Sequence, residues 1–173
     1  MMRNAVALVV LWLALVIQST VFQIPPINVV QPNLVLVVLM VTALARGPAV
    51  ALLLGVAVGF IQDVVYGSFI GLNAFTYGVI GYFAASFFAQ FLHKNISITF
   101  LVTIITTFIQ DWMTFGLTRM FGVTAYSWHT VFTNSLWQMI VNGITLLVVY
   151  PWLTRLFIAK SRGRYSQDGQ ESL

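Results

Sequence analysis

Two carboxylates are the side chains of this sequence best placed to do chemistry. Asp63 and Asp111 each close the same tetrapeptide, Phe60-Ile61-Gln62-Asp63 and Phe108-Ile109-Gln110-Asp111, within or at the end of strongly apolar runs. Only four acidic residues occur in the whole chain. A carboxylate pair can exchange protons with a substrate if a nucleophile or a metal stands close by. At the centre of a bilayer an ionised carboxylate costs about 2.5 to 3.5 kcal/mol, so such a residue faces a neighbouring helix, a wet cavity or the interface.

Little else in the sequence supports catalysis. The absence of cysteine excludes disulfides, thiol chemistry and cysteine metal sites. His93 abuts Lys94 and His129 follows Trp128; the topology derived below puts them on opposite sides of a membrane, where they cannot share a metal. No Gly-Lys-Ser/Thr phosphate loop, Gly-x-Ser-x-Gly elbow or His-Glu-x-x-His helix is present. The expectation is a protein with no catalytic residue, no metal and no cofactor. A membrane enzyme acting on lipid-linked precursors has the two Asp residues alone in its favour.

The elements that must hold these carboxylates are membrane helices. Hydrophobic residues make up 60% of the 173 and charged residues 7%, against roughly 25% charged in a soluble domain; mean hydropathy is +0.94. Membrane spans consume residues 1–158, so no separate soluble catalytic domain fits within this length. The net charge of +4 is small and dispersed, which argues against nucleic acid and for membrane topology. Pro, Gly, Asn and charged residues divide the apolar runs into six helices: Asn4–Ile24, Asn33–Ala45, Ala49–Val65, Leu72–His93, Ile96–Met120 and Val131–Phe157. The first lacks a small-x-small cleavage site between Val16 and Gln23 and reads as a permanent span, not a signal peptide. The second covers only about 20 Å of a roughly 30 Å core, so either residues 27–32 extend it or neighbours shelter it. Residues 159–173 are polar and expected to be mobile.

Six spans put both termini on one side and sort the basic residues. Arg3, Arg46, Lys94, Arg155, Lys160, Arg162 and Arg164 share one face, with Arg119 alone on the other. The positive-inside rule makes the richer face cytoplasmic. Asp63 then lies fifteen residues beyond Pro48 and Asp111 fifteen beyond Ile96, about 22 Å along each helix and near the external side. Gln18, also preceded by Ile, reaches a similar level on the first helix. The Ile-Gln spacings of 44 and 48 residues are close to one helical hairpin, as duplication would give, though Phe and Ile are common enough here for chance to compete.

Polar and small residues mark faces. Gly55 and Gly59 on the third helix, and Ala74, Gly78, Gly81, Ala85 and Ala89 on the fourth, let another backbone approach closely, either within the bundle or from another protein. Asn134, Ser135, Gln138 and Asn142 draw a polar stripe down the start of the sixth helix. Gln62-Asp63 and Gln110-Asp111 serve interhelical hydrogen bonding or line an outward-facing groove. Tyr126, Trp128, Tyr150 and Trp152 suit interface anchors. Arg119 meets lipid headgroups or pairs with Asp111 two turns back.

An ordered series of residues from Pro32 to Tyr82 adds a resemblance. Pro32-Asn33-Leu34 opens a helix, Arg46-Gly47-Pro48 makes a turn, and Gly55 and Gly59 precede Gln62-Asp63. Then come Gly67-Ser68, Gly71-Leu72-Asn73-Ala74, Tyr77 and Gly81-Tyr82. The stretch resembles the rod shape-determining protein MreD family of bacteria. It departs from that family at Asn33, where an acidic residue is expected, and from Ile96 onward it matches mainly in hydropathy. The resemblance implies a non-enzymatic component of the cell-elongation machinery for peptidoglycan synthesis in the cytoplasmic (inner) membrane. The implied partner is a single-span protein such as MreC, and through it the actin-like MreB, the RodA glycosyltransferase and a penicillin-binding transpeptidase. It also implies a fold similar to the six-helix substrate-binding subunits of energy-coupling-factor vitamin transporters.

The expectation is an all-α, polytopic membrane helix bundle that scaffolds another protein's transmembrane or juxtamembrane segment. Gly55, Gly59, Gln62, Asp63, Asn73, Gly78, Gly81, Gln110 and Asp111 are the candidate partner-binding residues. Arg46, Gly47 and Pro48 form the cytoplasmic turn, which Arg46 fixes through headgroups or carbonyl groups. Membrane lipid is a further contact, and homo-oligomerisation stays open. The alternative from another class is the substrate-capture subunit of a small-molecule transporter, with the external polar cluster as its pocket.

Overall fold

Apolar runs broken at Pro, Gly and Asn fold into six α-helices in the computed structural model, which describes residues 2–23, 31–67, 69–88 and 96–157. They are α1 (Met2–Thr20), α2 (Leu34–Arg46), α3 (Pro48–Tyr66), α4 (Leu72–Phe88), α5 (Ile96–Met120) and α6 (Trp128–Phe157), with a 3-10 turn at Val21–Gln23. The all-α bundle expected from the sequence is the fold, with no strand among the described residues. Two boundaries move by three residues or more: α6 begins at Trp128 instead of Val131, and α1 gives way to the 3-10 turn after Thr20. Pro25, Pro26, Ser68, Ala89, His93, Lys94 and the 159–173 tail lie outside the described residues.

The short helix α2 is the axis of the bundle. Every residue from Val35 to Leu44 is buried, the signature of a helix enclosed on all sides, and α2 touches each of the other five helices. Of the two accounts open for this run, shelter by neighbours is the one realised, because Gln31 to Asn33 are not helical and Asn33 caps the helix. By length and hydropathy α3, α5 and α6 are able to cross a membrane, while Asn4–Thr20, α2 and α4 are shorter apolar helices.

The turn from α2 into α3 combines a glycine that accepts the left-handed region with a proline at the first helical position. Gly47 has φ +88° and donates its N–H to the Ala43 carbonyl at 3.0 Å. Beside it the Arg46 guanidinium stands 5.5 Å from the centre of the Phe157 ring at the end of α6, a cation–π contact that ties the turn to α6.

α3 and α4 meet through their small residues. A Cβ on Gly55 would stand 2.6 Å from the Tyr77 carbonyl oxygen, and one on Gly59 would stand 2.5 Å from the carbonyl of Asn73. A Cβ on Gly78 would meet Val56, and one on Gly81 would meet Ala51. The small faces singled out in the sequence therefore face each other inside the bundle.

Candidate functional site

A helix that begins inside a bundle must find partners for the N–H groups of its first turn. α2 finds them in a polar layer to which every helix contributes. Asn33 accepts the Leu36 N–H on its own Oδ1 at 3.0 Å, the capping geometry that its place before an apolar run suggests. Gln18 of α1 accepts the Val35 N–H at 3.2 Å. Asn142 of α6 accepts the Asn33 N–H at 2.8 Å and donates through Nδ2 to Thr107 of α5 at 3.1 Å. Tyr77 of α4, fully buried, donates its hydroxyl to Asn33 Oδ1 at 3.1 Å. Asn33 Nδ2 donates to Gln110 Oε1 at 3.4 Å, and Gln110 donates to Thr114 at 3.3 Å. Gln62 of α3 faces Tyr77.

The three Ile-Gln pairs thus share a level because they ring one buried helix start. Asn33 is the hub of that ring. Asn33→Ala removes a cap, a donor to Gln110 and the acceptor of a buried phenol, with an expected loss of about 2 to 4 kcal/mol. Asn33→Asp keeps both acceptor roles and is expected to stay closer to the parent. Unfolding of the two variants in a detergent titration checks that order.

Asp63 is committed to the fold. It is 1% exposed, and both oxygens accept from the start of α4. Oδ2 takes the N–H groups of Gly71 and Ala74 at 3.0 Å each. Oδ1 takes the Asn73 N–H at 3.0 Å and its Nδ2 at 2.8 Å. Gly71, with φ +100°, makes the approach to this cap possible. Asn73, a candidate partner-binding residue by sequence, is Asp63's partner in the cap.

Asp111 differs although its tetrapeptide is identical. It lines a cavity of about 420 Å³ between α5 and α6, together with Thr114, Phe115, Tyr126, Ser135 and Gln138. The rim is open, with Tyr126 69% and Val123 45% exposed. Arg119 does not pair with Asp111. Its Nη1 donates to the Tyr126 carbonyl at 3.5 Å and its guanidinium lies 5.7 Å from the Phe115 ring. Asp63 does not line the Asp111 cavity, and among the described residues no three His, Cys, Asp or Glu side chains come together to hold a metal.

Of the α6 stripe, Ser135 and Asn142 are buried, Gln138 donates to the Gln31 carbonyl at 2.8 Å, and Asn134 is exposed on the cavity rim. Sequence reasoning missed the roles of Tyr77, Thr107 and Thr114. Their polar atoms serve partners on other helices or a turn away, and single-chain periodicity carries no such signal.

A family model for the rod shape-determining protein MreD matches residues 1–160. The chain belongs to the MreD family. It is accordingly a membrane protein of rod shape determination. The match takes in α5 and α6, which resembled the family mainly in hydropathy, so the cavity at Asp111 lies within the MreD region. The residues of the resemblance between Pro32 and Tyr82 are, in this MreD-family fold, those that build the α2 cap, the Gly47 turn and the α3–α4 contact. No curated protein and no solved structure matches the chain, so the implied likeness to vitamin-transporter subunits rests on the resemblance alone.

Proposed function

We propose that this MreD-family protein is a non-enzymatic scaffold of the cell-elongation machinery that docks a single-span partner such as MreC. Its links to MreB, RodA and a penicillin-binding transpeptidase run through that partner. Both termini lie in the cytoplasm, and the α5–α6 cavity faces the external side of the inner membrane. The observation carrying this reading is the distribution of what stays unused. Small-residue faces and most polar side chains are consumed within the bundle, whereas the cavity beside Asp111 is open and bordered by exposed Val123 and Tyr126. A surface of that kind suits a protein segment. In the described fold, Arg46 and Arg155 end their helices at the bundle end opposite Arg119, as the both-ends-in topology requires.

A photocrosslinker placed at Val123 or Tyr126 in native membranes is expected to trap the single-span partner. One at Phe87, 62% exposed on α4, is expected to trap lipid alone. Equal capture from all three positions, or none from any, refutes the docking site.

A second cavity favours the transporter-type alternative. About 330 Å³ in volume, it is bordered by Gln18, Ser19, Gln31, Asn33, Gln62 and Gln138, and Gln62 Oε1 is buried without a hydrogen-bond partner. A small polar ligand held there raises thermal stability by linkage in the absence of any protein partner.

A further inference from the structure

Ser135 is fully buried on α6, and its hydroxyl makes no hydrogen bond. On the neighbouring helix Thr99 is likewise buried without a hydrogen-bond partner, but it borders no carboxylate cavity, and the other buried hydroxyls there are satisfied. Thr103, Thr106 and Thr107 turn back to carbonyls four residues earlier at 2.9, 2.7 and 2.7 Å, the usual resource of a hydroxyl in an apolar helix. Ser135 instead borders the α5–α6 cavity and faces the Asp111 carboxylate without a regular hydrogen bond. Asp111 has no ion pair among the described residues. Arg119, the cation on this side of the bundle, is held by Tyr126 and Phe115, about 12 Å further along α5.

The Asp111 carboxylate and the Ser135 hydroxyl thus border one cavity with no cation beside them among the described residues and no hydrogen bond of regular geometry between them. Carboxylates at membrane depth are retained where a cation or a wet cavity compensates them, and unmade hydrogen bonds of buried hydroxyls cost stability. We propose that Asp111 and Ser135 form a subsite for a hydrogen-bond-donating cation, the ammonium or guanidinium group of a Lys or Arg side chain on the docked partner. The proposal rests on the scaffold reading for the source of that cation. An N–H-bearing head satisfies the carboxylate and the serine together, whereas a quaternary ammonium offers charge without donors.

The test has two arms. In the first, the purified full chain in lipid nanodiscs is melted with n-butylammonium or n-butylguanidinium chloride, with choline chloride at equal ionic strength as the donor-free control. Stabilisation by the first two and not by choline is expected, abolished in Asp111→Asn and weakened in Ser135→Ala. Ser135→Ala, which removes a hydroxyl that bonds nothing, is expected to melt no lower than the parent without ligand, so its effect reports the subsite. No stabilisation of the parent, or equal stabilisation of parent and Asp111→Asn, overturns the subsite.

In the second arm, the crosslinker at Tyr126 reads partner capture in membranes. Asp111→Asn is expected to lower capture at least about thirtyfold, the lower edge of what an unpaired charge at an interface costs. Asp111→Lys is expected to abolish it, with recovery when one basic residue of the partner is changed to Glu. Unchanged capture by Asp111→Asn overturns the partner-borne cation while leaving the scaffold reading standing. If stabilisation by butylammonium still requires Asp111 in that case, a free amine is the occupant instead. No capture by the parent refutes the scaffold reading itself and, with it, the partner as the source.

Discussion

Asp63→Ala is expected to destabilise the protein by about 3 to 5 kcal/mol, the sum of a lost helix cap and of buried N–H groups left without acceptors. The carboxylate accepts four hydrogen bonds at 2.8 to 3.0 Å, all from Gly71, Asn73 and Ala74. Three of those donors are backbone N–H groups at the start of α4 and the fourth is the Asn73 side-chain amide, and a negative charge there also favours the helix dipole. Asp63→Asn keeps one acceptor oxygen and turns an NH2 group toward donors, so about half the loss is expected. Equilibrium unfolding in a detergent titration measures both. A change under about 1 kcal/mol for Asp63→Ala, the size of an exposed cap, contradicts this account. Partner capture should fall with folded fraction and not beyond it, in contrast to the selective loss expected of Asp111→Asn.

The comparison of Asp63 with Asp111 shows how far the sequence reaches. Depth was legible, because helix rise converts residue count into height, and the three Ile-Gln pairs do meet in one polar layer around Asn33. The six helices were legible from apolar runs and their breakers, and Asn33 and Gly47, at the two ends of the second run, prove to be its caps. What the sequence could not separate was two identical tetrapeptides. Asp63 is followed within ten residues by a helix start that folds back onto it. Asp111 is mid-helix, and α5 continues to Met120, so no nearby N–H groups are free to claim its oxygens. Chain direction after the motif, set by Gly67 and Gly71, decides between cap and cavity wall. Likewise the small residues of α3 and α4 announced a close approach without naming the surface approached, since GxxxG-type spacing is the same for an internal and an external neighbour.

That ambiguity makes Gly59→Ala the sharpest test of the packing. The added methyl would lie 2.5 Å from the carbonyl carbon and oxygen of Asn73 and 2.6 Å from the Ala74 Cα. These are backbone atoms, unable to rotate aside, so α3 and α4 must separate. Overpacking of this kind costs about 1 to 3 kcal/mol, and the upper part of that range is expected here because separation also stretches the Asp63 bonds to Asn73 and Ala74. Gly116→Ala supplies the internal control: its methyl would have no atom within 4 Å on the exposed surface of α5, and a helix-interior alanine is favoured over glycine by about 0.8 to 1 kcal/mol. Opposite signs for the two substitutions are therefore expected in one unfolding assay. Combined with Asp63→Ala, Gly59→Ala should cost less than the sum of the two, because each loosens the same α3–α4 contact. Full additivity would mean that the glycine contact and the carboxylate cap act independently, and that the start of α4 is held by something other than the two together.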